Sequence, residues 1–477
     1  MDWRNLPEVP VHCAGGTAGF RAVTRLVLPC IDRSVIARIF TAAILLSLFA
    51  RAAEFHVAPA GDDGGLGSAE RPFAGIGRAQ QAVSPGDTVW LHGGTYRMTE
   101  AMIAKREGMW AHVIHLHKSG VAGKPIRYRA VAGQRPVFDF SAVKPAGMRV
   151  HAFQVSGSHL VLQGIEVRGV QVTMTGHTQS VCVSNTGSHN VFERLSMRDG
   201  MGIGFYLSRG KNNLVLNCDA WNNHDPVSGN RQGGNVDGFG AHPRSGDTGN
   251  VFRGCRAWFN ADDGYDCISA GESVRFEGCW AFNNGFAPDG KGLADGNGFK
   301  IGGYASAPLE RLPRTIPRHV VVRCVAAANK ANGFYANHHP GGGDWIHNTA
   351  FANRRSNFNF LCREPGSFRD VPGFGHVIRN NLGFRSRREV SDLDPAACEM
   401  AGNRFGGDDL GSRDFLGIDP AELSAPRQPD GSLPEIAFMR PVPGGRVVDR
   451  GVPLDEPFMG RAPEPGAFEA VPRPVRK

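Results

Sequence analysis

The chain has 477 residues, of which 63 are glycine and 21% are charged, and its formal net charge is +8 at pH 7. The abundance of turn residues and the scarcity of long helical patterns favour an all-β fold over helical ones. The positive charge suits an anionic partner such as an acidic polysaccharide. The sequence contains no lysine- and arginine-rich arm of the kind that would predict a nucleic-acid partner.

Residues 34–53 have the layout of a secretory signal peptide. Arg38 precedes an apolar run over residues 39–50, and an Ala-Arg-Ala cleavage site follows. The run is too short to cross a bilayer, so we expect a secreted or periplasmic protein that begins near Ala53 and has no membrane contact after signal removal. Because the signal lies so far into the chain, we expect the native start near Val35; a buried core helix is the alternative for this segment.

Residues 54–155 are interpreted as an N-terminal cap and the first coils of a solenoid, and residues 1–53 as the upstream segment with its signal peptide. A helix is predicted from about Pro72 to Val83, with an apolar face. A turn leads from it into a predicted strand, Thr88–Leu91. One amphipathic helix ahead of many strands predicts a cap over the open edge of the first coil.

A repeated Cys-x-Ala-aromatic-x-Asn frame begins near residue 155. Its sixth position recurs at spacings of 24, 37, 24, 45, 24 and 33 residues, in Asp199, Asn223, Asn260, Asn284, Asn329, Asn353 and Ser386. A repeat with variable insertions is typical of a solenoid, and short alternating strands between turns make it a parallel β-helix. We expect the asparagines to stack at one bend. The first position is predicted to form a buried ladder of thiols, in Cys218, Cys255, Cys279 and Cys324.

The repeat divides the rest of the chain in two. Residues 156–390 are predicted to be the central β-helix coils that carry the active site, and residues 391–477, where the period fades, a C-terminal loop and cap region. Trp221, Trp258 and Trp280 fall in the repeat and are expected in the core. A solenoid that is capped in this way needs no partner, so a monomer is expected.

Four carboxylates gather in the central coils on a second repeated frame, Asx-Gly-aromatic. Asp237 and Asp263 hold the same place in this frame, 26 residues apart, so we expect them to be neighbours on adjacent coils, about 4.8 Å apart. Asp262 and Asp266 flank the second copy. Such a cluster repels itself unless a cation binds it, and oxygen ligands without histidine or cysteine favour Ca²⁺ over zinc. Surface turn aspartates are the alternative.

Lys300 is placed one residue past the aromatic of the next copy, directly above Asp266. Without a metal it would be the salt-bridge partner of that carboxylate. Beside a bound cation its pKa would fall, and the amine would become a base. A divalent cation with a nearby base suits removal of a proton next to a carboxylate and β-elimination from a 4-linked uronic acid. A glycoside hydrolase would need a dedicated pair of carboxyl groups.

These motifs, NVDGFG, CRAWFNADDGYD and CWAFNN followed by DGNGFKIGG, resemble the pectate lyases of polysaccharide lyase family 9. The resemblance implies a right-handed parallel β-helix with an N-terminal capping helix, calcium bound by aspartates and a catalytic lysine. Residue by residue, it implies calcium ligands at Asp237, Asp262, Asp263 and Asp266 and the base at Lys300. It also implies that the substrate is a homogalacturonan-like polyuronate.

Other functions stay open at this point. A lyase or C5-epimerase acting on another uronate polymer begins with the same proton abstraction and differs only in the later steps. A non-catalytic carbohydrate-binding β-helix would predict that the Asp and Lys positions have degraded, but they are intact. His242 and Arg244, which follow the Asp237 frame, are weaker candidates for contacts with substrate carboxylates.

Overall fold

The computed structural model describes residues 52–176, 179–228, 233–305, 307–407, 410–455 and 457–470. The predicted signal peptide therefore lies outside the described residues, except for its last two positions. The described residues belong to one unit, Ala52–Lys477. Within them, no helix is long and apolar enough to cross a membrane.

Helix α1 spans Ile76–Ala82 and buries Ile76, Ala79 and Gln80. The prediction was right about its apolar face and wrong about its first turn. Phe73 pairs with Val57 in a parallel bridge, and its N–H donates to the carbonyl of His56 at 2.8 Å. This extended pairing delays the helix until after Gly75. That α1 caps the solenoid stays a prediction.

The described strands form three long sheets and one short hairpin. The first sheet comprises Glu54–Val57, Thr88–Leu91, Ile126–Ala130, Leu160–Gln163, Val191–Glu193, Leu214–Leu216, Asn250–Arg253, Val274–Glu277, His319–Val322, Gly343–Ile346, Val377–Arg379 and Glu399–Ala401. The second comprises Gly94–Arg97, Pro136–Asp139, Glu166–Arg168, Ser196–Arg198, Asp219–Trp221, Arg256–Trp258, Trp280–Phe282, Val325–Ala327, Thr349–Phe351, Leu382–Phe384 and Arg404–Phe405. The third comprises Lys105–Glu107, Trp110–Leu116, Arg149–Val155, Val181–Asn185, Ile203–Leu207, Phe239–Ala241, Tyr265–Asp266, Phe299–Lys300, Asn332–Tyr335, Ser356–Asn359 and Val390–Ser391. The hairpin pairs Cys362–Arg363 with Asp370–Val371.

The chain visits the three sheets in turn, which confirms the predicted parallel β-helix. Each strand pairs in parallel with its counterpart one coil further along, and in the third sheet only Lys105–Glu107, among the described strands, pairs antiparallel to its neighbour. Short 3-10 turns lie in the connections, at Glu100–Met102, Leu309–Arg311, Pro395–Ala397, Ser412–Asp414 and Pro420–Ser424. The last coil, with Glu399–Ala401 and Arg404–Phe405, continues the solenoid past the point where the sequence repeat fades.

Inside the third sheet, aromatic rings stack along the solenoid axis. The ring of Tyr265 lies 5.0 Å from that of Phe239 and 4.5 Å from that of Phe299, and both pairs are nearly parallel. Phe334 and Phe358 continue the stack at 5.0 Å intervals. Register is strongly specified wherever one face of a strand is buried, because a slip by one residue would expose these rings.

The asparagine stack is confirmed. The side-chain amide of Asn223 donates to Asn260 at 3.0 Å, and the series continues through Asn284 and Asn329 to Asn353. The prediction was wrong for Asp199. Arg198 pairs with Trp221, so Asp199 aligns with Asn222, one position away from the stack, and accepts a hydrogen bond from its amide at 2.7 Å.

The thiol ladder is also confirmed, since all four of its cysteines are fully buried and free. The prediction that the tryptophans lie in the core is confirmed for Trp258 and Trp280. Ala220 points into the main interior, so Trp221 points outward and is only half-buried. Trp258 and Trp280 are buried in a second apolar cluster with C-terminal residues such as Phe438. The C-terminal segment therefore covers the outer face of the second sheet.

Candidate active site

The repeated frame sets the predicted residues side by side on the third sheet. Phe239 pairs with Tyr265, so Asp237 and Asp263 are neighbours on adjacent coils. Asp266 pairs with Lys300 on the next coil, as the frame predicted. The glycine of each frame lets the coils approach, because a Cβ at Gly264 would lie 2.6 Å from the carbonyl oxygen of Gly298.

Backbone N–H groups hold the carboxylates in place. Asp237 accepts from the N–H of Asp263 at 3.1 Å, and Asp263 accepts from the N–H of Asn297 at 2.7 Å and from its side-chain amide at 2.8 Å. Asp266 accepts from the N–H of Ile268 at 2.6 Å. Among the described residues, backbone N–H groups donate only to Oδ1 of each of these three aspartates, so Oδ2 is left for other partners.

Asp262 is bound at both of its oxygens. The N–H of Asn235 donates to Oδ2 at 2.6 Å, and the N–H of Asp295 donates to Oδ1 at 3.1 Å. Because each carboxylate oxygen has two lone pairs, these bonds still leave acceptor capacity for a cation. The connections that lead into Phe239–Ala241 and Phe299–Lys300 are thereby tied to one side chain.

Three of the four carboxylates form a compact group. One ligand oxygen from each of Asp237, Asp262 and Asp263 lies within 4.8 Å of the others, and all three residues are at most 5% exposed. Asp266 is also buried but does not join this group. Its Oδ2 lies 3.2 Å from Nζ of Lys300. The donor set consists of hard oxygens, which fits a hard cation such as Ca²⁺.

The electrostatics of the group favour a bound cation. Burial, followed by repulsion from the neighbouring carboxylates, raises the pKa of Asp237 well above its ordinary value. The same two causes raise the pKa of Asp262 to about 8. Burial also raises the pKa of Asp263, although Lys300 opposes the shift. A cation at this place would relieve the repulsion.

Lys300 is a positive group in contact with these carboxylates. Its Nζ lies 3.1 Å from Oδ2 of Asp263 and 3.2 Å from Oδ2 of Asp266, and its side chain is 14% exposed. Burial by itself would lower its pKa, but attraction to the carboxylates, Asp263 first, raises it above the ordinary value. In this arrangement Lys300 is charged.

Two tyrosines that sequence reasoning missed flank the site. Tyr206, Gly240, Asp266, Lys300 and Tyr335 occupy one outward-facing position on five successive strands of the third sheet. Burial, followed by Asp266 and Asp237, raises the pKa of Tyr206 to about 12, so its hydroxyl is protonated at neutral pH. The signal was present in the sequence, since Gly204-Phe205-Tyr206 repeats the Gly-aromatic frame without its Asx.

The weaker candidates lie to one side of the carboxylates. Nδ1 of His242 lies 2.7 Å from the carbonyl oxygen of Ile268. Because a carbonyl can only accept a hydrogen bond, Nδ1 carries the proton and donates it. Its ring lies 4.9 Å from that of Tyr206. Arg244 and Tyr206 line a groove of about 710 Å³ that runs along the third sheet toward the N-terminal coils.

Comparison with known proteins shows that this chain is similar to several polysaccharide lyases. The chain is 32% identical over 420 residues to pectate lyase L of Dickeya dadantii, which covers 87% of this chain and 90% of that one. A solved rhamnogalacturonan lyase is 43% identical with a TM-score of 0.78, covering 81% of this chain and 96% of its own. The pectate lyase Pel9A structure is 30% identical with a TM-score of 0.70, covering 89% and 98%.

Together with these relatives, the fold and the site define a polysaccharide lyase built on a right-handed parallel β-helix. The family model described as the Pel9A-like, right handed beta helix region matches residues 55–381. The chain belongs to this family of Pel9A-like β-helix proteins.

Proposed function

We propose that the protein cleaves a 4-linked polyuronate by calcium-dependent β-elimination, with Lys300 as the base. The observation that carries the proposal is the contact of Lys300 with two carboxylates, Asp263 and Asp266. In the part of the chain that the structure describes, no backbone group donates a hydrogen bond to their Oδ2 atoms. A lysine that shares its partners with a metal is charged without the metal and can be neutral with it.

Asp237, Asp262, Asp263 and Asp266 are the residues that would hold Ca²⁺. When bound, the ion neutralises the substrate carboxylate and stabilises the negative charge that develops beside it. The unprotonated Nζ of Lys300 then removes the C5 proton. The electron pair of the C5–H bond forms the C4–C5 double bond, and the C4–O4 bond breaks with its electron pair on O4, which takes up a proton. The backbone N–H groups of Asp263, Asn297 and Ile268 keep the carboxylates in position throughout.

The first substrate we propose is polygalacturonate, because pectate lyases are among the relatives that match most of the chain. A second candidate is the rhamnogalacturonan backbone, which the 43% identity to a rhamnogalacturonan lyase favours. In both polymers a galacturonate would lie over the carboxylates. They differ in the neighbouring sugar, so turnover of the two purified polymers under the same conditions separates the candidates.

The test of the mechanism is the ultraviolet absorbance of the unsaturated product. Wild type and Lys300→Ala are compared on both polymers at alkaline pH, with calcium or with excess chelator. We expect a calcium-dependent signal from wild type and none from the variant. Activity that persists in Lys300→Ala would contradict the role of the lysine. Turnover without unsaturated product would favour epimerisation instead.

We also propose that the protein is secreted and acts as a monomer, both from the sequence pattern alone. Expression of the full chain with its upstream segment, followed by fractionation and N-terminal sequencing, should give an exported product that begins near Ala53. Sedimentation of the purified product should give the mass of one chain. A product retained in the cell with residues 34–53 intact would contradict the signal peptide.

A further inference from the structure

The outward-facing column of the third sheet contains one residue without a side chain, Gly240, between Tyr206 and Asp266. In the register of the strands, Tyr206 precedes Gly240, and Asp266 and Lys300 follow it. The whole step from Tyr206 to Lys300 covers three coils, or about 14 Å at the usual strand spacing. Over the described length of this column, from His115 to Ser391, Gly240 is the only glycine.

The side chains of Tyr206 and Lys300 point toward each other from the two ends of this three-coil stretch. A Cβ at Gly240 would lie 2.7 Å from Cδ2 of Tyr206, so the tyrosine ring occupies the space above the glycine. Lys300 bends the other way, because its Nζ lies within 3.2 Å of carboxylates one coil earlier. The space between the phenol and the amine borders Asp266 and, in the adjacent column, Asp237 and Asp263.

The stereochemistry of the reaction needs two groups on opposite sides of the sugar. In a 4-linked galacturonate the C5 hydrogen and O4 lie on opposite faces of the ring. A base that removes the proton from one face therefore cannot reach the leaving oxygen on the other face. A sugar ring seated on the carboxylates, with its faces directed along the solenoid axis, would present its C5 hydrogen to Lys300 and its O4 to Tyr206.

We propose that the hydroxyl of Tyr206 is the acid that protonates the leaving O4. The inference rests on the proposed function, because it takes Lys300 as the base. Lys300 takes the C5 proton, and the C4–O4 bond breaks with its electron pair on O4. The Tyr206 hydroxyl gives its proton to O4, and the tyrosinate regains a proton from water. Tyr206 is half-buried, so water reaches it once the product departs.

His242 positions Tyr206 and does not itself supply the proton. Its Nδ1–H is held by the carbonyl of Ile268, which leaves Nε2 as an acceptor in neutral imidazole. Its ring packs against the phenol at 4.9 Å, and a Cβ at Gly240 would lie 3.0 Å from Nε2 as well as 2.7 Å from Cδ2 of Tyr206. The other tyrosine of the column, Tyr335, lies beyond Lys300 and serves as a matched comparison.

The experiment compares two substrates that differ in the need for a proton. One is polygalacturonate or the rhamnogalacturonan backbone, whichever wild type cleaves, and its leaving sugar oxygen needs an acid. The other is a galacturonoside with fluoride at C4, which departs without one. Tyr206→Phe should lower kcat/KM on the polymer by about 100-fold or more and change fluoride release far less. Tyr335→Phe should change both substrates by the same factor. An equal loss on both substrates in Tyr206→Phe, or a selective loss in His242→Gln alone, would overturn the proposal.

A second measurement needs no synthetic substrate. Recovered polymer is analysed for deuterium at C5 after incubation in heavy water. Because deprotonation by Lys300 is intact in Tyr206→Phe, this variant should incorporate deuterium while forming little unsaturated product. Loss of both exchange and elimination would mean that Tyr206 only supports the fold or binds substrate. Lys300→Ala should lose both, and if it loses neither, the proposed base is wrong whatever Tyr206 does.

Discussion

Nζ of Lys300 lies 3.1 Å from Oδ2 of Asp263. This carboxylate is fully buried, and no backbone or side-chain group of the described residues donates a hydrogen bond to its Oδ2. The same oxygen is a candidate ligand for a cation. Lys300 and a bound cation would therefore compete for one atom, which would link the protonation of Lys300 to metal binding. The contact of Lys300 with Asp263 and the packing of the neighbouring side chains have measurable consequences.

Calcium should move the pH dependence of activity to lower pH. The carboxylates raise the pKa of Lys300, and a cation that occupies them removes this attraction, so the amine loses its proton at lower pH. The rising limb of kcat/KM against pH should shift downward between limiting and saturating calcium. A limb that stays at the same pH in both conditions would mean that Lys300 does not share its partners with the metal.

Asp263→Asn should weaken calcium binding by about tenfold or more, because the charge of the ligand set controls affinity for this ion. The amide keeps an oxygen that can accept from Asn297, so the coil should stay intact. Isothermal titration of the purified variant with calcium measures the change. The matched control is Asp289→Asn, an exposed aspartate on a loop, which should bind calcium as wild type does.

In chelator the protein should lose stability as pH rises. The pKa of Asp262 is about 8 in the folded chain, against an ordinary value of 3.8. A carboxyl group whose pKa is higher in the folded than in the unfolded chain stabilises the fold in full below a pH of about 4. This stabilisation is lost as the pH rises through about 8. The free energy of unfolding in urea should be lower at pH 9 than at pH 5.

Two controls accompany that measurement. Saturating calcium should reduce the difference between the two pH values, because a cation bound among the carboxylates would relieve the repulsion that raises their pKa values. Asp262→Asn should flatten the profile as well, since it removes the titrating group. A profile that is flat for wild type in chelator would show that the buried carboxylates do not carry these shifts.

Gly240→Ala should lower activity and leave the fold unchanged. The φ of Gly240 is not among the positive values, so alanine is not strained by the backbone, but its Cβ would displace the Tyr206 ring from 2.7 Å. Initial rates and circular dichroism measure the two effects. Gly77→Ala in α1 is the control, because nothing lies within 4 Å of its Cβ, and helix propensity should add about 0.5–1 kcal/mol of stability without changing the rate.

Asn284→Ala should destabilise the solenoid by about 3 kcal/mol, because several buried polar groups lose their partners at once. The amide of Asn284 donates to the carbonyl of Ala257 at 3.0 Å and to Asn329 at 3.1 Å, and its oxygen accepts from Asn260. Urea unfolding measures the loss. Gln428→Ala, which removes an exposed amide, should change the free energy of unfolding little. A loss below 1 kcal/mol in Asn284→Ala would contradict a structural role for the stack.

The predictions from sequence were most accurate where one coil repeats the next. Asp237 and Asp263 were placed as neighbours, and Asp266 beneath Lys300, because parallel pairing keeps residues at equal positions of a repeat in contact. The same reasoning missed Tyr206, whose copy of the frame has isoleucine in place of Asx. It also shifted Asp199 by one position, because the first copy lacks the cysteine that anchors the alignment.

The sequence by itself determined the parallel β-helix, the order of its coils and the two columns that carry the carboxylates and the lysine, since a hydrogen-bonded register propagates from each repeat to the next. Only the tertiary structure decided what covers the outside of the coils. Arg427 donates to Asp219, 208 residues earlier, at 2.7 Å, and the tryptophans of the second sheet pack under the C-terminal segment. It also decided how Tyr206 and Lys300 lean toward Gly240, because side-chain direction depends on the space that neighbouring coils leave, and spacing in the sequence does not encode that space.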